Sequence, residues 1–528
     1  THVSIFSLNL TTAMGLALAI DSSLLIVNRY REELRAGREP NAALVRTVQT
    51  AGRTVLFSAA TVASSLAALL VFPLYFLRSF AYAGIAVVLM QAAGALIVLP
   101  ALIAVLGRRV NLGTLFHHRP AEPGDGFWHR LALTVMRRPI IIGTGVIAIL
   151  LVLGSPFLRI NFGLPDDRVL PASATSRQVQ DAIRFDFASR EAGSISIVAP
   201  SATSDPAVLS SYAGTISKVP GVGRVDAPTG SFISGAQVAP PNPASARLTA
   251  PGGEGVWFSA VPTVEPESSQ GESLVKAIRH TPAPFHVLVG GQSAQLVDSK
   301  ASLFARLPLA GGIIAIVTFI VLFLMTGSVL VPVKALVLNL LSLSATFGAM
   351  VWVFQEGHLA GVLHFTPTGT IDTTTPILMF CIAFGLSMDY EVFLLSRIKE
   401  EHDRTHDNVG SVAMGLERTG RIVTAAALLM ALVFAAFATS HVTFIKLFGV
   451  GLAMAVLVDA TLIRAILVPA FMRLAGEANW WAPAPLHRLY ERIGLSEHEP
   501  PSPVVGFADA LGGDATEVGR PRPEEVAS

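Results

Sequence analysis

The sequence predicts a polytopic α-helical membrane protein of about nine transmembrane helices in two parallel repeats, with an α+β extracytoplasmic domain. Three observations point there. Of 528 residues, 52% are hydrophobic and only 14% charged, where soluble globular proteins carry about 25% charged. The scarce charge is unevenly placed, so that long runs with almost none alternate with stretches composed like ordinary soluble protein. Two groups of apolar runs also match each other at a separation of 368 positions. This composition excludes a disordered chain, a coiled coil and a typical cytosolic enzyme. A net charge of +1 supplies no basic field for nucleic acid. The single cysteine, Cys381, excludes an intrachain disulfide and a cysteine zinc site.

A spanning helix needs about 20 largely apolar residues. Nine stretches qualify: residues 4–28, 54–76, 80–106, 139–158, 305–326, 331–354, 372–396, 422–440 and 444–472. Arginine and lysine place the loops between them. Segments 29–53, 107–138 and 397–421 are basic, with Arg29, Arg31, Arg35, Arg108, Arg109, Arg397 and Lys399 among their charges. The alternate loops hold only Arg78 in 73–79, none in 355–371 and only Lys446 in 441–446. If every stretch spans, all the basic loops share one side, which the positive-inside rule makes cytoplasmic. Trp480 and Trp481 suit that interface as belt aromatics.

The domain reading follows. Residues 1–106 are the last three helices of a first repeat, 107–138 a cytoplasmic linker and 139–158 a transmembrane helix. Residues 159–302 are a periplasmic α+β domain, and 303–475 the five-helix bundle of a second repeat. Residues 476–528 are a cytoplasmic tail, disordered from about residue 497, where Pro, Gly, Asp and Glu dominate. Inside the polar domain, Ser194–Val198 and His286–Val289 alternate as strands do, and Ser176–Ala188 has helical amphipathicity. Gly290 and Gly291 read as a turn. Phe185, Phe187, Trp257 and Phe258 read as core rather than as a pocket lining. The chain begins Thr1-His2-Val3 with no leader pattern, and its first repeat shows only three spans. We therefore expect a truncated protein, or the downstream part of a split one, whose upstream half supplies three helices and a first periplasmic domain.

The repeat is explicit. Residues 21–33 read DSSLLIVNRYREE and 389–401 read DYEVFLLSRIKEE. At the same offset Gly52-Arg53 meets Gly420-Arg421, Phe76 meets Phe444 and Phe80 meets Phe448. The match slips by one near its end, where Pro100 pairs with Pro469. Both copies run in the same direction, so the repeats are parallel and related by an axis along the membrane normal.

Asp21 and Asp389 occupy equivalent places in these repeats. Each lies eight residues before an arginine, Arg29 or Arg397, which puts it about 12 Å into the membrane. An aspartate there costs on the order of 2.5–3.5 kcal/mol on the insertion scale. Such residues face a bundle interior and mark proton or ion pathways. Two brought to a common axis titrate as a pair, and Tyr390 can relay through its hydroxyl. The competing reading is that they only hydrogen-bond neighbouring helices. Asp459 and Arg464 in the last span form a candidate helix–helix ion pair. Arg29 and Arg397, with the glutamates at 32–33 and 400–401, read as solvated helix ends. His402 and His406 have a metal-binding spacing but no third ligand beside them, and read as a solvated face. No metal, cofactor or P-loop is expected, and no nucleophile has a plausible base, so the chain reads as a secondary active transporter rather than an enzyme.

The strings GLALAIDSSLLIVNRYREEL and FGLSMDYEVFLLSRIKEE resemble the fourth and tenth helices of the MmpL family, within the resistance–nodulation–division (RND) superfamily. LVDATLIRAILVPAFMRLAGEANWWAP resembles that family's twelfth helix and its exit. LPASATSRQVQDAIRFDF and VGGQSAQLVD resemble the start and end of its second periplasmic domain. The resemblance covers nearly the whole chain to about residue 495. It implies twelve helices, two periplasmic domains and proton-motive-force-driven export, often of lipids, from the inner (plasma) membrane. It also implies a proton relay of an Asp-Tyr on helix four facing an Asp-Tyr on helix ten. Carried over, the helix-four pair is Asp21-Ser22 and the helix-ten pair Asp389-Tyr390. Ser22 departs from the pattern and is too short to replace a phenol, so the aspartate–tyrosine contact survives on one side, between Asp21 and Tyr390, and a water from the Ser22 hydroxyl could serve on the other.

The expected partners are protons, a lipid or other hydrophobic small molecule, the bilayer, the upstream half and, as a further candidate, a second copy of the chain. Two alternatives stand beside export: a sensor or accessory protein on the same scaffold without net transport, and an inactive fragment needing its upstream half.

Overall fold

A computed structural model of the chain describes residues 4–111, 124, 126–187, 191–202, 205–252 and 254–493. The tail beyond 497 and residues 112–123 and 125 of the linker lie outside the described residues. Among those described, nine helices are long and apolar enough to cross a membrane. In order they are Ile5–Arg35, Pro40–Val71, Tyr75–Leu106, Pro139–Arg159, Gln292–Thr326, Leu330–Gln355, Thr375–Thr405, Asn408–Thr439 and Thr443–Trp480, called here spans one to nine.

The spans are longer than the apolar stretches, mostly at their Arg-rich ends. Apolar counting finds the part that needs hydrocarbon; the helix then continues on charged turns held by pairs such as Arg29–Glu33 and Lys399–Asp403, both four residues apart. Starts and stops are chemically marked. Pro40 and Pro139 open spans two and four at first-turn positions where no N–H is needed. Gly327, with φ 68°, closes span five in the left-handed conformation. Asp407 caps span eight through the Val409 N–H. Span five extends at its other end: it starts at Gln292, inside the expected polar domain, because its first turns bury Ala294 and Leu296.

Between spans four and five lies the α+β unit. Its strands, with two short ones flanking it, are β1 (Phe162–Gly163), β2 (Ile195–Ala199), β3 (Val222–Ala227), β4 (Gly230–Ile233), β5 (Ala236–Ala239), β6 (Val256–Pro262), β7 (Leu288–Gly290) and β8 (Ile371–Asp372). β2 to β7 form one sheet in the order β5-β4-β3-β6-β2-β7, every pairing antiparallel. Helices Pro206–Ser217 and Ser269–His280 supply buried residues to the sheet's core. Tyr212, Phe258 and Phe285 fill it, with Tyr212 5.3 Å from each of the other two rings. Of the four aromatics read as core, only Phe258 is buried; Phe185, Phe187 and Trp257 are exposed. Phe258 points inward on β6, and the pleat turns its neighbour Trp257 out. Gly291, with φ 108°, makes the expected turn from β7 into span five; a Cβ there would lie 2.8 Å from the Ser194 carbonyl oxygen. β1 and β8 pair in parallel and tie the strap leaving span four to the segment entering span seven.

Glu267 sits buried at the foot of this domain and accepts a 2.6 Å hydrogen bond from Gln292 at the start of span five. Burial, then the nearby Asp166 carboxylate, push its pKa from 4.5 to about 7. The folded protein therefore keeps a proton that the unfolded chain releases. The stability this contributes is full below about pH 4.5 and is lost as pH rises through about 7. Glu267→Gln should flatten that slope. Thermal unfolding of the detergent-solubilised chain between pH 4.5 and 8 checks it; an unchanged slope refutes the assignment.

Repeat symmetry extends to helix breaks. A 3₁₀ turn ends span two at Ala68–Val71 and span eight at Ala436–Thr439, still 368 apart. Gly107 (φ 51°) ends span three and Gly476 (φ 55°) interrupts span nine, 369 apart. The extra residue is absorbed in between by π-helical turns: Gly94–Val98 in span three and the longer Asp459–Leu467 in span nine. The one-residue slip in the sequence match is thus a longer π segment. The two copies also pack differently. Gly385 on span seven lets span two approach closely, since a Cβ there would lie 3.2 Å from Val62 Cα. The equivalent pair on spans one and eight is Ala17 and Met430, which are bulkier.

Candidate functional site

The charged residues inside the spans converge. Span one brings Asp21. Span seven brings Ser387, Asp389, Tyr390 and Glu391, span nine Asp459 and Arg464, and span six Lys334. Asp459 and Arg464 are five residues apart, about 140° around an α-helix. The π turn, which bonds i to i+5, brings them onto one side, and Arg464 Nη2 lies 2.5 Å from Asp459 Oδ2. The expected helix–helix ion pair is therefore an ion pair within one helix. It still joins helices: Ser387 donates to Asp459 Oδ1 at 2.7 Å, and Arg464 donates to the Ser387 carbonyl. The guanidinium carbon also stands 4.8 Å from the centre of the Tyr390 ring. Arg464 is fully buried, and its Nε and Nη1 have no hydrogen-bond partner among the described residues.

Asp21 and Asp389 are half-buried neighbours in the same cluster, within electrostatic reach of each other and of Arg464. The Tyr390 hydroxyl faces Asp21 and lies 2.6 Å from Met430 Sδ; Asp389 faces the Ser58 hydroxyl of span two. Lys334 and Glu391 form a second ion pair of 3.2 Å, with side chains 0% and 3% exposed. Sequence reasoning missed this pair. Its signal was present, because Lys334 interrupts an apolar run and Glu391 follows Asp389 by two, but nothing linked two residues 57 apart. The pairing decides which groups are free. Of four acids and two cations, Asp459 and Glu391 each own a cation. Among the described residues, Asp21 and Asp389 own none.

Ser22 is not brought to this pair. Its hydroxyl donates to the Leu18 carbonyl at 2.6 Å and meets Gln91 Nε2 of span three. A short serine on a helix bonds its own preceding turn, and one step along the helix points it away from Asp21. Gln91 occupies the place of Asp459 in the first repeat, so that copy keeps the π turn without its charges. His402 is also corrected. It is buried rather than solvated, stacked 4.4 Å from Trp480, while His406 is exposed. Among the described residues no group of three or more acidic, His or Cys side chains could hold a metal ion.

Among the described residues, buried and partly paired charge at the centre of nine apolar helices in two parallel repeats defines a class: multi-pass membrane proteins with an ionisable centre. Within it, the family model described as "MMPL family" matches residues 1–142 and 170–504. The chain belongs to this family of RND-type transporters and is a multi-pass protein of the inner (plasma) membrane. It is 41% identical over 505 residues to the putative membrane protein SCO6666 of Streptomyces coelicolor, covering 96% of this chain and 67% of that one. It is 35% identical over 533 residues to the trehalose monomycolate exporter MmpL3 of Mycobacterium tuberculosis, covering 94% and 55%. With the heme uptake protein MmpL11 of the same organism it shares 32% over 522 residues, covering 97% and 52%. The chain thus spans about half the length of the last two. Among solved structures, SecDF in its super-membrane-facing form aligns over 88% of this chain and 54% of that one, with 14% identity and a TM-score of 0.48.

Proposed function

We propose that the chain drives export of lipids or other hydrophobic molecules across the plasma membrane as a secondary active transporter powered by the proton-motive force. Asp21 and Asp389 would carry the protons and Tyr390 relay them. The observation that carries this reading is the pairing: among the described residues these two carboxyls of the cluster have no ion pair of their own, so their charge state is free to change. Ser22 stands outside the relay. The Arg-rich loops face the cytoplasm and the α+β domain the periplasm, by the positive-inside rule.

An apolar cavity of about 340 Å³ between spans five, six and seven supports a hydrophobic cargo; Leu303, Phe304, Leu307, Phe347 and Phe380 line it. Moving a lipid chain into water costs about 0.8 kcal/mol per CH₂, and one charge through 100 mV yields about 2.3 kcal/mol. A few protons cannot lift a long chain through water, so the cargo stays against apolar walls and protonation biases conformations. The cargoes named for MmpL3 and MmpL11 fit such a path. An upstream half is part of the proposal. In the second repeat span six packs on spans seven and nine. The equivalent face of spans one and three holds a groove of about 430 Å³, lined by Gly15, Ser22, Gln91 and Gly94, where a helix of that half would seat.

The test is movement of a fluorescent lipid in proteoliposomes under an imposed pH gradient, with the chain alone and with its upstream half. Movement that scales with the gradient in the second case is expected. Movement indifferent to the gradient sinks the coupling. No movement with the upstream half present favours the accessory-protein reading.

A further inference from the structure

The seam between the repeats is layered. At the end away from the Arg-rich loops, the equivalent Phe76 and Phe444 meet at 5.8 Å, and each packs 4.9 Å from its own neighbour, Phe80 or Phe448. In the middle lie Asp21 and Asp389. At the Arg-rich end, eight residues beyond the aspartates, are two equivalent Arg–Glu pairs. Each arginine holds its own glutamate three residues on: Arg29 to Glu32 at 3.3 Å and Arg397 to Glu400 at 2.9 Å. Each also reaches the other's: Arg397 to Glu32 at 3.2 Å and Arg29 to Glu400 at 3.9 Å. The arginine side chains are only 12% and 13% exposed, far from the solvated helix ends expected of them.

These layers have different mechanical properties. Aromatic contacts tolerate sliding, whereas ion pairs have defined partners. Breaking the two crossing pairs leaves each arginine with the glutamate on its own helix, so opening strands no charge. Arg29 is held further by Glu33 at 3.0 Å and Thr50 at 3.2 Å, and its crossing pair is the looser one.

We propose that Arg29, Glu32, Arg397 and Glu400 form a gate that closes the cytoplasmic side of the aspartate pair and opens by giving up its two crossing ion pairs. The proposal rests on the proton-coupled reading for what passes the gate, but the opening itself can be read without transport. The reporter is Ser58→Cys, beside Asp389, in a Cys381→Ser background. It is labelled by a membrane-impermeant cationic thiol reagent from the cytoplasmic face of inside-out vesicles carrying the full chain. Glu32→Gln with Glu400→Gln should raise the labelling rate about tenfold. Glu32→Asp with Glu400→Asp, which keeps the charges, should stay near the parent rate. Phe76→Leu with Phe444→Leu, at the opposite layer, should leave it unchanged and controls for general loosening. An unchanged rate in the glutamine variant overturns the gate, as does an equal rise in the aspartate or leucine variants. Loss of gradient-driven lipid movement with normal gating would instead count against the coupled export reading.

Discussion

Replacing Asp389 with asparagine is expected to reduce gradient-driven transport to the level of protein-free vesicles while leaving the fold intact. Asparagine keeps the size of the side chain and can still pair with the Ser58 hydroxyl that faces Asp389, so the change in stability should stay within about 1 kcal/mol. What it removes is the ability to change charge. Asp459 and Glu391 cannot take over, because each is tied to its own cation within 3.2 Å. Asp21 remains, but the proposed relay of two acids, with one silenced, would have no acceptor for the next proton. The measurements are lipid movement under a pH gradient and thermal unfolding in the same preparation. Transport that persists with a normal unfolding midpoint would remove Asp389 from the relay. A collapse of both would reduce the aspartate to a structural hydrogen-bonding role.

The second large effect concerns the fold. Arg464→Met should destabilise the protein by about 3–5 kcal/mol, because it leaves Asp459 buried without its cation. It also removes the hydrogen bond to the Ser387 carbonyl and the contact with the Tyr390 ring. Adding Asp459→Leu should recover most of the loss, since replacing both partners of a buried ion pair by apolar groups is often close to neutral. A deficit of about 1 kcal/mol should remain where the Ser387 hydroxyl loses its acceptor. Transport should not recover with stability, because the charge within reach of Asp21 and Asp389 is gone. Unfolding midpoints of the single and double variants decide the point. A single variant as stable as the parent would mean that Arg464 does not compensate Asp459.

Much of this architecture was legible in the chain. A bilayer demands about 20 apolar residues per helix, so the spans announce themselves, and alternating basic loops order them. The repeat also singled out Asp21 and Asp389, because a shared register over many residues turns two isolated acids into a pair. What stayed hidden depends on contacts between distant positions. Lys334 and Glu391 sit on different spans without any repeat relation. The arginines at 29 and 397 looked like ordinary helix ends, since nothing along one helix reveals that its glutamate is shared with another. Ser22 was placed in the relay by analogy with Tyr390, but a serine bonds within its own helix where a phenol reaches out. Residues Asp459 and Arg464 pointed apart on an ideal α-helix, and only the π turn aligned them.

That turn sets the two copies apart. Both last spans carry a π segment, five residues long in the first copy and nine in the second. The first copy has Gln91 in the place of Asp459, without a buried arginine to match. The same backbone irregularity is uncharged in one copy and holds an ion pair in the other. The halves are therefore not interchangeable, and two identical copies of either one would not reproduce the present charge arrangement.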